Sequence, residues 1–212
     1  MSTRAVNAAL AASLKTCQDH ETELGQLDAV AGDGDHGSGI VRGFTAACLA
    51  ADESHDSPGR SISAAGYAFG DAAGGASGAL WGVFLQTIGK ELGEGDITPG
   101  QIVAALGKAE AQLERLGKSR PGDKTMLDTL DPFIDALDEC VSRGMTLAAA
   151  WSEALVVARE ATEATSKMIA RRGRSAVLGE RSLGTVDPGA RSLLLVLEAV
   201  APVIAGSETG PD

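Results

Sequence analysis

The chain has 212 residues, of which 44% are hydrophobic and only 3% aromatic, and its formal net charge is −11. Such an acidic surface repels the phosphate backbone of nucleic acids and the surface of anionic membranes, so we expect neither as a partner. The three cysteines are far apart and include no CxxC pair, which argues against a zinc site or a disulfide framework and fits a reducing cytoplasm.

Helical periodicity recurs along almost the whole chain, and no segment shows convincing strand alternation. The apolar residues, mostly alanine, leucine, valine and glycine, also suit closely packed helices better than sheets. The pattern predicts about eight helices. In chain order they cover 3–24, 38–51, 60–72, 77–92, a segment from Thr98-Pro99 to Gly117, a segment that Asp123 caps and that reaches Val141, 147–168, and a segment that opens at Asp187-Pro188 and includes 193–200.

The links between these helices are short, apart from the Gly/Ser/Arg-rich stretch 171–187. With no repeat and no compositional boundary, we expect a single all-α domain over residues 1–205 and a flexible tail over 206–212. The N-terminal apolar stretch is short and interrupted by polar residues, so it favours a first helix over a targeting peptide. No run approaches the roughly 18 apolar residues that a membrane span needs, so we expect a soluble, cytoplasmic protein.

Four loops rich in glycine and small polar residues each precede a predicted helix: Gly32–Gly39, Gly74–Gly78, Pro121–Thr125 and Asp187–Gly189. Helix N-termini present free N–H groups and a partial positive charge, and both features bind phosphate. Four such helix starts that meet at one end of a bundle would form a nucleotide pocket.

The first of these regions contains three carboxylates within eight residues: Asp28, Asp33 and Asp35. Carboxylates this close repel one another unless a cation lies between them, and hard oxygen ligands suit Mg²⁺. A solvated acidic turn is the alternative, which the adjacent histidine and the following helix disfavour. A calcium loop of the EF-hand type fails because its twelfth position would be Gly39 or Phe44 instead of glutamate.

Two apparent nucleotide motifs are accidental. Residues 32–37 match GxGxxG, but a dinucleotide fingerprint follows a strand and does not place carboxylates against a pyrophosphate. Gly117-Lys118-Ser119 resembles the end of a P-loop, but the position that requires glycine is Gln112. The sequence therefore contains neither a Rossmann fingerprint nor a Walker A motif.

Four sequence blocks occur in an order and spacing typical of one family: LDAVAGDGDHGSG (27–39), GGASGALWG (74–82), PGDKTMLD (121–128) and GRSAVLGERSLGTVDPGARS (173–192). Together they resemble the nucleotide-binding L subunit (DhaL) of the dihydroxyacetone kinases, a domain that also forms the C-terminal half of the single-chain enzymes. The resemblance implies a barrel of eight antiparallel helices that holds ADP or ATP at one end.

The resemblance also implies a role for each matching residue. Asp28, Asp33 and Asp35 match the catalytic carboxylates that hold two Mg²⁺ ions against the nucleotide phosphates. The implied nucleotide contacts are His36, Gly37, Ser38, Gly39, Ala76, Ser77, Gly117, Met126, Arg174, Asp187, Pro188 and Gly189. Three of them have a structural alternative, since the histidine can hold the loop, the methionine can belong to the core and the arginine can be a surface charge. Lys124 stays open between a role at the site and a solvent-facing charge.

The phosphoryl acceptor is not visible in the sequence. In the family that the chain resembles, a histidine of a separate K subunit holds dihydroxyacetone covalently, and nothing here looks like such a pocket. Because 212 residues leave no room for that half, we expect docking with a K-type subunit. The acceptor can also be another small ketose such as erythrulose, since the partner selects it.

Two versions of the phosphoryl donor remain open. Bound ADP can act as a fixed coenzyme that a phosphotransferase-system phosphohistidine protein rephosphorylates, a version that the short separate chain favours. Alternatively, free ATP exchanges and is consumed. A non-catalytic, nucleotide-binding regulatory module is the alternative from another functional class, and a homodimer is compatible with the sequence.

Overall fold

The computed structural model describes residues 2–30, 32–53, 57–94 and 97–209. Within these ranges the chain forms nine α-helices, two 3₁₀ helices and no strand, which confirms the all-α prediction. The α-helices are α1 (Thr3–Asp19), α2 (Glu21–Ala29), α3 (His36–Glu53), α4 (Pro58–Ala73), α5 (Gly75–Leu92), α6 (Pro99–Gly117), α7 (Leu127–Ser142), α8 (Leu147–Ala164) and α9 (Pro188–Thr209). The 3₁₀ helices, Thr165–Lys167 and Arg174–Ser182, lie between α8 and α9.

Five helices begin at a residue whose side chain caps the free backbone N–H groups of the first turn. Three of these caps are Ser2, Ser57 and Thr146. Thr98 forms a full capping box with Gln101, and Pro99 occupies the first helical position, which agrees with the predicted helix start at Thr98-Pro99. The carboxylate of Asp187 accepts a backbone N–H of α9 at 2.8 Å, so the predicted start of the last helix is also confirmed.

Eight of the helices form a closed ring. Each helix from α3 to α9 packs against the next one along the chain, α9 packs against α1, and α1 packs against α3. Most links within the ring are short, and Thr165 after α8 accepts a hydrogen bond from Asp187 before α9, so ring neighbours run antiparallel. The remaining helix, α2, packs beside the ring against α3 and α9. The predicted eight-helix barrel is therefore present, with one additional short helix.

The few large aromatic residues of the chain are concentrated inside this ring. All of the phenylalanines and tryptophans are at most 5% exposed: Phe44, Phe69, Trp81, Phe84, Phe133 and Trp151. Four of them, from α3, α4 and α5, form one cluster with ring centroids 5.0 to 5.8 Å apart. The other two, from α7 and α8, stack edge to face at 4.9 Å. Such contacts add to apolar burial and hold the helices at a defined spacing.

α4 and α5 approach each other unusually closely because glycines line their contact. A Cβ atom on Gly66 of α4 would lie 2.6 Å from the backbone nitrogen of Gln86 in α5. A Cβ atom on Gly89 of α5 would lie 2.5 Å from the carbonyl oxygen of Gly59 in α4. Both distances are too short for real Cβ contacts, so these positions require glycine. The close approach fixes the turn between the two helices, which lies at the end of the ring that carries the candidate site.

The predicted helix before the acidic segment is wrong in its extent. The predicted helix 3–24 is divided into α1 and α2 at His20, whose φ of −112° and ψ of 12° leave the helical region. The imidazole of His20 and its backbone N–H both bond Thr16, which ends α1 one turn earlier than the pattern suggests. Because α2 then continues to Ala29, Asp28 lies on a helix and not in the following loop.

The predicted cap at Asp123 is wrong as well, because α7 begins only at Leu127. The turn before α7 folds around two buried carboxylates. Asp128 accepts hydrogen bonds from the backbone nitrogens of Gly122 at 2.5 Å and Thr125 at 2.7 Å, so it holds the turn from inside the helix. Asp123 itself accepts a backbone N–H from within the same turn at 3.2 Å.

Other differences concern the C-terminal third. The predicted helix 147–168 ends at Ala164 and continues as a 3₁₀ turn, and part of the predicted linker 171–187 is the 3₁₀ helix Arg174–Ser182. α9 extends through Thr209 and so includes residues 206–209 of the predicted tail. Residues 210–212 of that tail lie outside the described residues.

α9 is also long and apolar enough to meet the length and hydropathy criteria of a membrane span, over Pro188–Glu208 with a mean hydropathy of 1.6. The prediction concerned a run of about 18 apolar residues, which this helix is not, because it includes Arg191 and Glu198. In the ring, however, 44% of the 18-residue window is buried, and the helix packs against α1, α7 and α8. The core helix of a soluble protein passes the same length and hydropathy test.

Candidate active site

A cavity of about 470 Å³ opens at the end of the ring where α3, α5, α7 and α9 begin. Because neighbouring helices are antiparallel, α4 and α6 end at the same place, and the links around them supply much of the lining. The four predicted loops thus converge, and each contributes lining residues. The helix dipoles and the backbone N–H groups of α5, which no side chain caps, give this end of the ring a partial positive charge that suits an anion.

The three predicted carboxylates, Asp28, Asp33 and Asp35, come together at the mouth of this cavity. One oxygen atom from each lies within 4.8 Å of the other two. Asp28 is fixed by the last turn of α2 and accepts the N–H of Gly34 at 2.9 Å, where the φ of Gly34 is +78°. At Gly32 a Cβ atom would lie 2.4 Å from the Asp28 carboxylate, so a larger residue there would have to displace that side chain.

Arg174 reaches across the cavity mouth to this carboxylate cluster. One guanidinium nitrogen forms a close ion pair with Asp33, and another lies 3.9 Å from the Asp35 carboxylate. The hydrogen bond from Arg174 lowers the pKa of Asp33. Partial desolvation and the neighbouring Asp33 carboxylate raise the pKa of Asp35. Arg174 supplies one positive charge beside three carboxylates, so it does not neutralise the cluster.

His36 connects three of the converging helix starts. Its side chain is 6% exposed, with Nδ1 3.2 Å from Ser77 Oγ in α5 and Nε2 3.0 Å from Ser192 Oγ in α9. Burial lowers the pKa of the imidazole, whereas the Asp28 carboxylate opposes this shift. The structural alternative for His36 therefore holds, and because the residue also lines the cavity it is compatible with contact to a ligand.

The structure brings most of the predicted residues together around one cavity. The predicted residues that line it are Asp28, Asp35, His36, Gly39, Ala76, Ser77, Gly117, Met126, Arg174, Asp187, Pro188 and Gly189. Asp33 belongs to the carboxylate cluster at its mouth. Gly37 and Ser38 do not line the cavity. Gly37 faces α2, where a Cβ atom would lie 2.1 Å from the carbonyl oxygen of Glu21, and the hydroxyl of Ser38 donates to the carbonyl oxygen of Asp35.

Part of the remaining lining is apolar. Leu80, Leu113 and Leu116 form an apolar wall together with Met126, which is 6% exposed and thus belongs both to the core and to the cavity. Such a wall beside a charged mouth suits a ligand with an apolar ring at one end and anionic groups at the other.

Two further basic residues line the cavity, although the sequence alone assigned them no definite role. Lys124 lines the cavity and is 5% exposed, so the solvent-facing alternative for it is wrong. Arg172 also lines the cavity and donates to the buried Asp123 carboxylate at 3.2 Å. The only sequence signal for these residues is their position inside or beside the matched blocks 121–128 and 173–192.

Comparison with known proteins shows which family the chain belongs to. The family model described as the DAK2 domain matches residues 30–202. This chain belongs to that family. The DhaL-type resemblance is therefore confirmed, and the matched range contains the complete cavity lining apart from Asp28.

Curated relatives of this DhaL-type domain are kinases. It is 42% identical to the L-erythrulose kinase of Pectobacterium atrosepticum, with 96% of this chain but only 35% of that protein covered. It is 31% identical to the ADP-binding subunit DhaL of the PEP-dependent dihydroxyacetone kinase of Escherichia coli, over 82% of this chain and 84% of the subunit. The chain thus spans about a third of the length of the erythrulose kinase and most of the length of the separate subunit.

Solved structures show the same fold. The dihydroxyacetone kinase of C. freundii superimposes with a TM-score of 0.66 at 29% sequence identity, covering 93% of this chain and 34% of that chain. The structure of the C. freundii enzyme in complex with AMP-PNP and Mg²⁺ gives a TM-score of 0.64 at 28% identity, with 93% and 33% coverage.

Proposed function

We propose that this DhaL-type domain is the nucleotide-binding part of a kinase that transfers a phosphoryl group to dihydroxyacetone or a similar small ketose. The observation that carries the proposal is the carboxylate cluster, Asp28, Asp33 and Asp35, at the mouth of a cavity where four helix N-termini converge. The names of the relatives support the same reaction class, since they include an erythrulose kinase and an ADP-binding subunit of a dihydroxyacetone kinase.

The carboxylate cluster fits Mg²⁺ by its chemistry. Three hard oxygen donors lie within 4.8 Å of one another, and two of the three side chains are exposed, which leaves room for water and phosphate oxygens. Bound Mg²⁺ would neutralise charge on the nucleotide phosphates and on the phosphoryl group in transfer. We propose Asp28, Asp33 and Asp35 as its ligands, with two ions as the working number.

The chain's own groups have separate tasks in this proposal. The N-terminal N–H groups of α3 and α5 would hold the phosphates, and the N–H groups of Ala76 and Ser77, which no side chain caps, belong to this set. Arg174 would shift from the Asp33 carboxylate towards the phosphate oxygens, a ligand that a guanidinium binds in a bidentate manner. The apolar wall that includes Leu80 and Leu116 would take the base. His36, Gly37, Ser38, Gly39, Gly117, Met126, Asp187, Pro188 and Gly189 stay predicted contacts.

The ketose and its covalent carrier belong to another part of the enzyme in this proposal. Among the described residues the second cavity, of about 130 Å³, has an almost entirely apolar lining inside the ring, which does not suit a ketose. The acceptor-binding half would be either a K-type subunit or a further part of a longer protein, as in relatives of which this chain spans about a third. Cytoplasmic location and a homodimeric state stay predictions.

Two versions of the phosphoryl donor remain open: free ATP that exchanges, and bound ADP that a phosphohistidine protein rephosphorylates. The sequence identities to relatives favour the first version. The chain is 42% identical to the L-erythrulose kinase and 31% identical to the PEP-dependent subunit. This difference in identity favours an enzyme of the erythrulose-kinase type over an enzyme in which a phosphohistidine protein rephosphorylates bound ADP. Incubation with labelled ATP distinguishes the two versions. Exchange of the bound nucleotide with turnover supports the version with free ATP, whereas ADP that is retained without exchange supports the version with a fixed ADP coenzyme.

Calorimetric titration with ADP and Mg²⁺ tests the site itself. We expect saturable binding that is lost in EDTA and weakened at least about 100-fold by Asp28→Asn or Asp35→Asn, because each removes one charged ligand. Asp138→Asn, at an exposed aspartate near the end of α7 opposite the cavity, should bind like the unchanged protein. Circular dichroism should show unchanged helix content in all three variants. Full ADP affinity in both cluster variants would contradict the proposed site.

A further inference from the structure

Lys124 has an environment that is unusual for a lysine at the edge of a ligand cavity. It lies in the turn before α7 with a left-handed φ of 62°, and it is 5% exposed. Its ammonium group donates to three backbone carbonyl oxygens: Met168 at 3.3 Å, Thr185 at 2.7 Å and, at a shorter distance, Ser182. An ammonium group has three N–H donors, so all of them are used within the protein.

This saturation determines how Lys124 can act. A phosphate-binding lysine needs at least one free donor that points at the ligand, and Lys124 has none left. Desolvation lowers its pKa, while the nearby Asp187 carboxylate opposes that shift, and the three carbonyl dipoles compensate for the buried charge. The charge of Lys124 is therefore used to bind backbone, not a ligand.

The three carbonyl groups flank the segment that carries Arg174. Met168 precedes this segment, and Ser182 and Thr185 follow it, so one ammonium group joins its two ends. The neighbouring residue Asp123 adds to the same anchor, since its carbonyl oxygen accepts the N–H of Arg171 at 3.0 Å. Between these anchored ends the chain arches over the cavity mouth, where Arg174 meets the carboxylate cluster.

We propose that Lys124 is a positioning residue for nucleotide binding, which clamps the ends of the 168–185 segment and thereby holds Arg174 over the carboxylate cluster. The inference rests on the proposed function for its effect on affinity. Its structural part, the clamp, does not depend on any nucleotide. Lys124 thus differs from a P-loop lysine, which contacts the phosphates directly.

The clamp is tested first without nucleotide, by hydrogen–deuterium exchange. In Lys124→Met the amides of 168–185 should exchange at least about tenfold faster, while amides in the core of α4 and α5 keep their rates. Lys118→Met is the matched control, because Lys118 also has a left-handed φ, of 49°, but is exposed. Unchanged exchange over 168–185 in Lys124→Met would overturn the proposal.

The functional part is tested by a double-mutant cycle on the affinity for ADP and Mg²⁺. Lys124→Met and Arg174→Ala should each weaken binding by a similar factor, roughly 10- to 100-fold, and the double variant should be no weaker than Arg174→Ala alone. Independent, multiplicative losses would overturn the positioning role. If the unchanged protein does not bind ADP, the proposed function fails, while the exchange result still decides on the clamp.

Chemical rescue separates a clamp from a general loss of stability. Lys124→Ala leaves space between three carbonyl oxygens, which ethylammonium can fill with its N–H donors. Ethylammonium should therefore restore slow exchange over 168–185, whereas tetramethylammonium, which has no N–H donor, should not. Equal effects of the two ions would contradict the proposed hydrogen bonds.

Discussion

The substitution Gly66→Ala tests the close approach of α4 and α5, which fixes the turn at Gly74 beside the cavity. The new Cβ atom would lie 2.6 Å from the backbone nitrogen of Gln86, so the helices must separate by about 0.8 Å to reach the 3.4 Å of an ordinary contact. Overpacking of this kind costs about 3 kcal/mol when backbone must move. Alanine returns about 1 kcal/mol of helix propensity, so we expect a net loss of about 2 kcal/mol in the free energy of unfolding.

Thermal unfolding measured by circular dichroism shows the effect directly. For a domain of this length a loss of about 2 kcal/mol corresponds to a midpoint lowered by about 4 to 8 °C. Gly107→Ala in α6 is the matched control, because a Cβ atom there meets nothing within 4 Å. The control should gain about 1 kcal/mol and raise the midpoint by about 2 to 4 °C. A midpoint for Gly66→Ala at or above that of the unchanged protein would refute the proposed packing.

Two further substitutions test buried polar groups. Burial and the facing carboxylates of Asp131, Glu114 and Asp135 raise the pKa of Glu110 from 4.5 to about 7, so its ionisation lowers stability as the pH rises through that range. Glu110→Gln should therefore be more stable than the unchanged protein by about 1 to 2 kcal/mol in urea at pH 8, a value reduced for partial exposure, and the advantage should vanish at pH 4.5; an advantage that grows on acidification would contradict the sign. Ser192→Ala removes the partner of the buried His36 Nε2 and should cost about 1 to 3 kcal/mol. Ser152→Ala, at an exposed position, should cost almost no stability. Equal losses of stability in the two variants would argue against a stabilising hydrogen bond between Ser192 and His36.

Local sequence signals predicted the fold wherever a helix start depends on neighbouring residues. The Thr98 capping box and the Asp187 cap each involve a side chain and a backbone N–H three residues later, so the pattern is complete in the sequence. The ends of helices were less predictable. His20 ends α1 although the apolar pattern continues, because its imidazole bonds Thr16 within the same helix.

The candidate site was predictable as a set of residues, but only partly as a set of contacts. The carboxylates and glycines of residues 28–39 are close in sequence, so local backbone turns are enough to bring them together. Asp123 shows the limit, since a cap was predicted while the structure uses its carboxylate for Arg172, 49 residues further along the chain. Lys124 likewise binds Met168, Ser182 and Thr185, contacts that exist only once the ring has closed. Such long-range hydrogen bonds leave no periodic signal in the sequence.

The basic residues of the cavity explain why an acidic chain would need a divalent cation to bind a nucleotide. Among the described residues that line the cavity, the basic side chains are Lys124, Arg172 and Arg174. Backbone carbonyls saturate the first, and the buried Asp123 carboxylate pairs with the second. Arg174 remains, and it faces three carboxylates. Helix N-termini supply only partial charges, which do not offset the three carboxylates at the mouth of the cavity. Removal of Mg²⁺ should therefore abolish nucleotide binding and not merely weaken it, in contrast to a site in which lysine provides the positive charge.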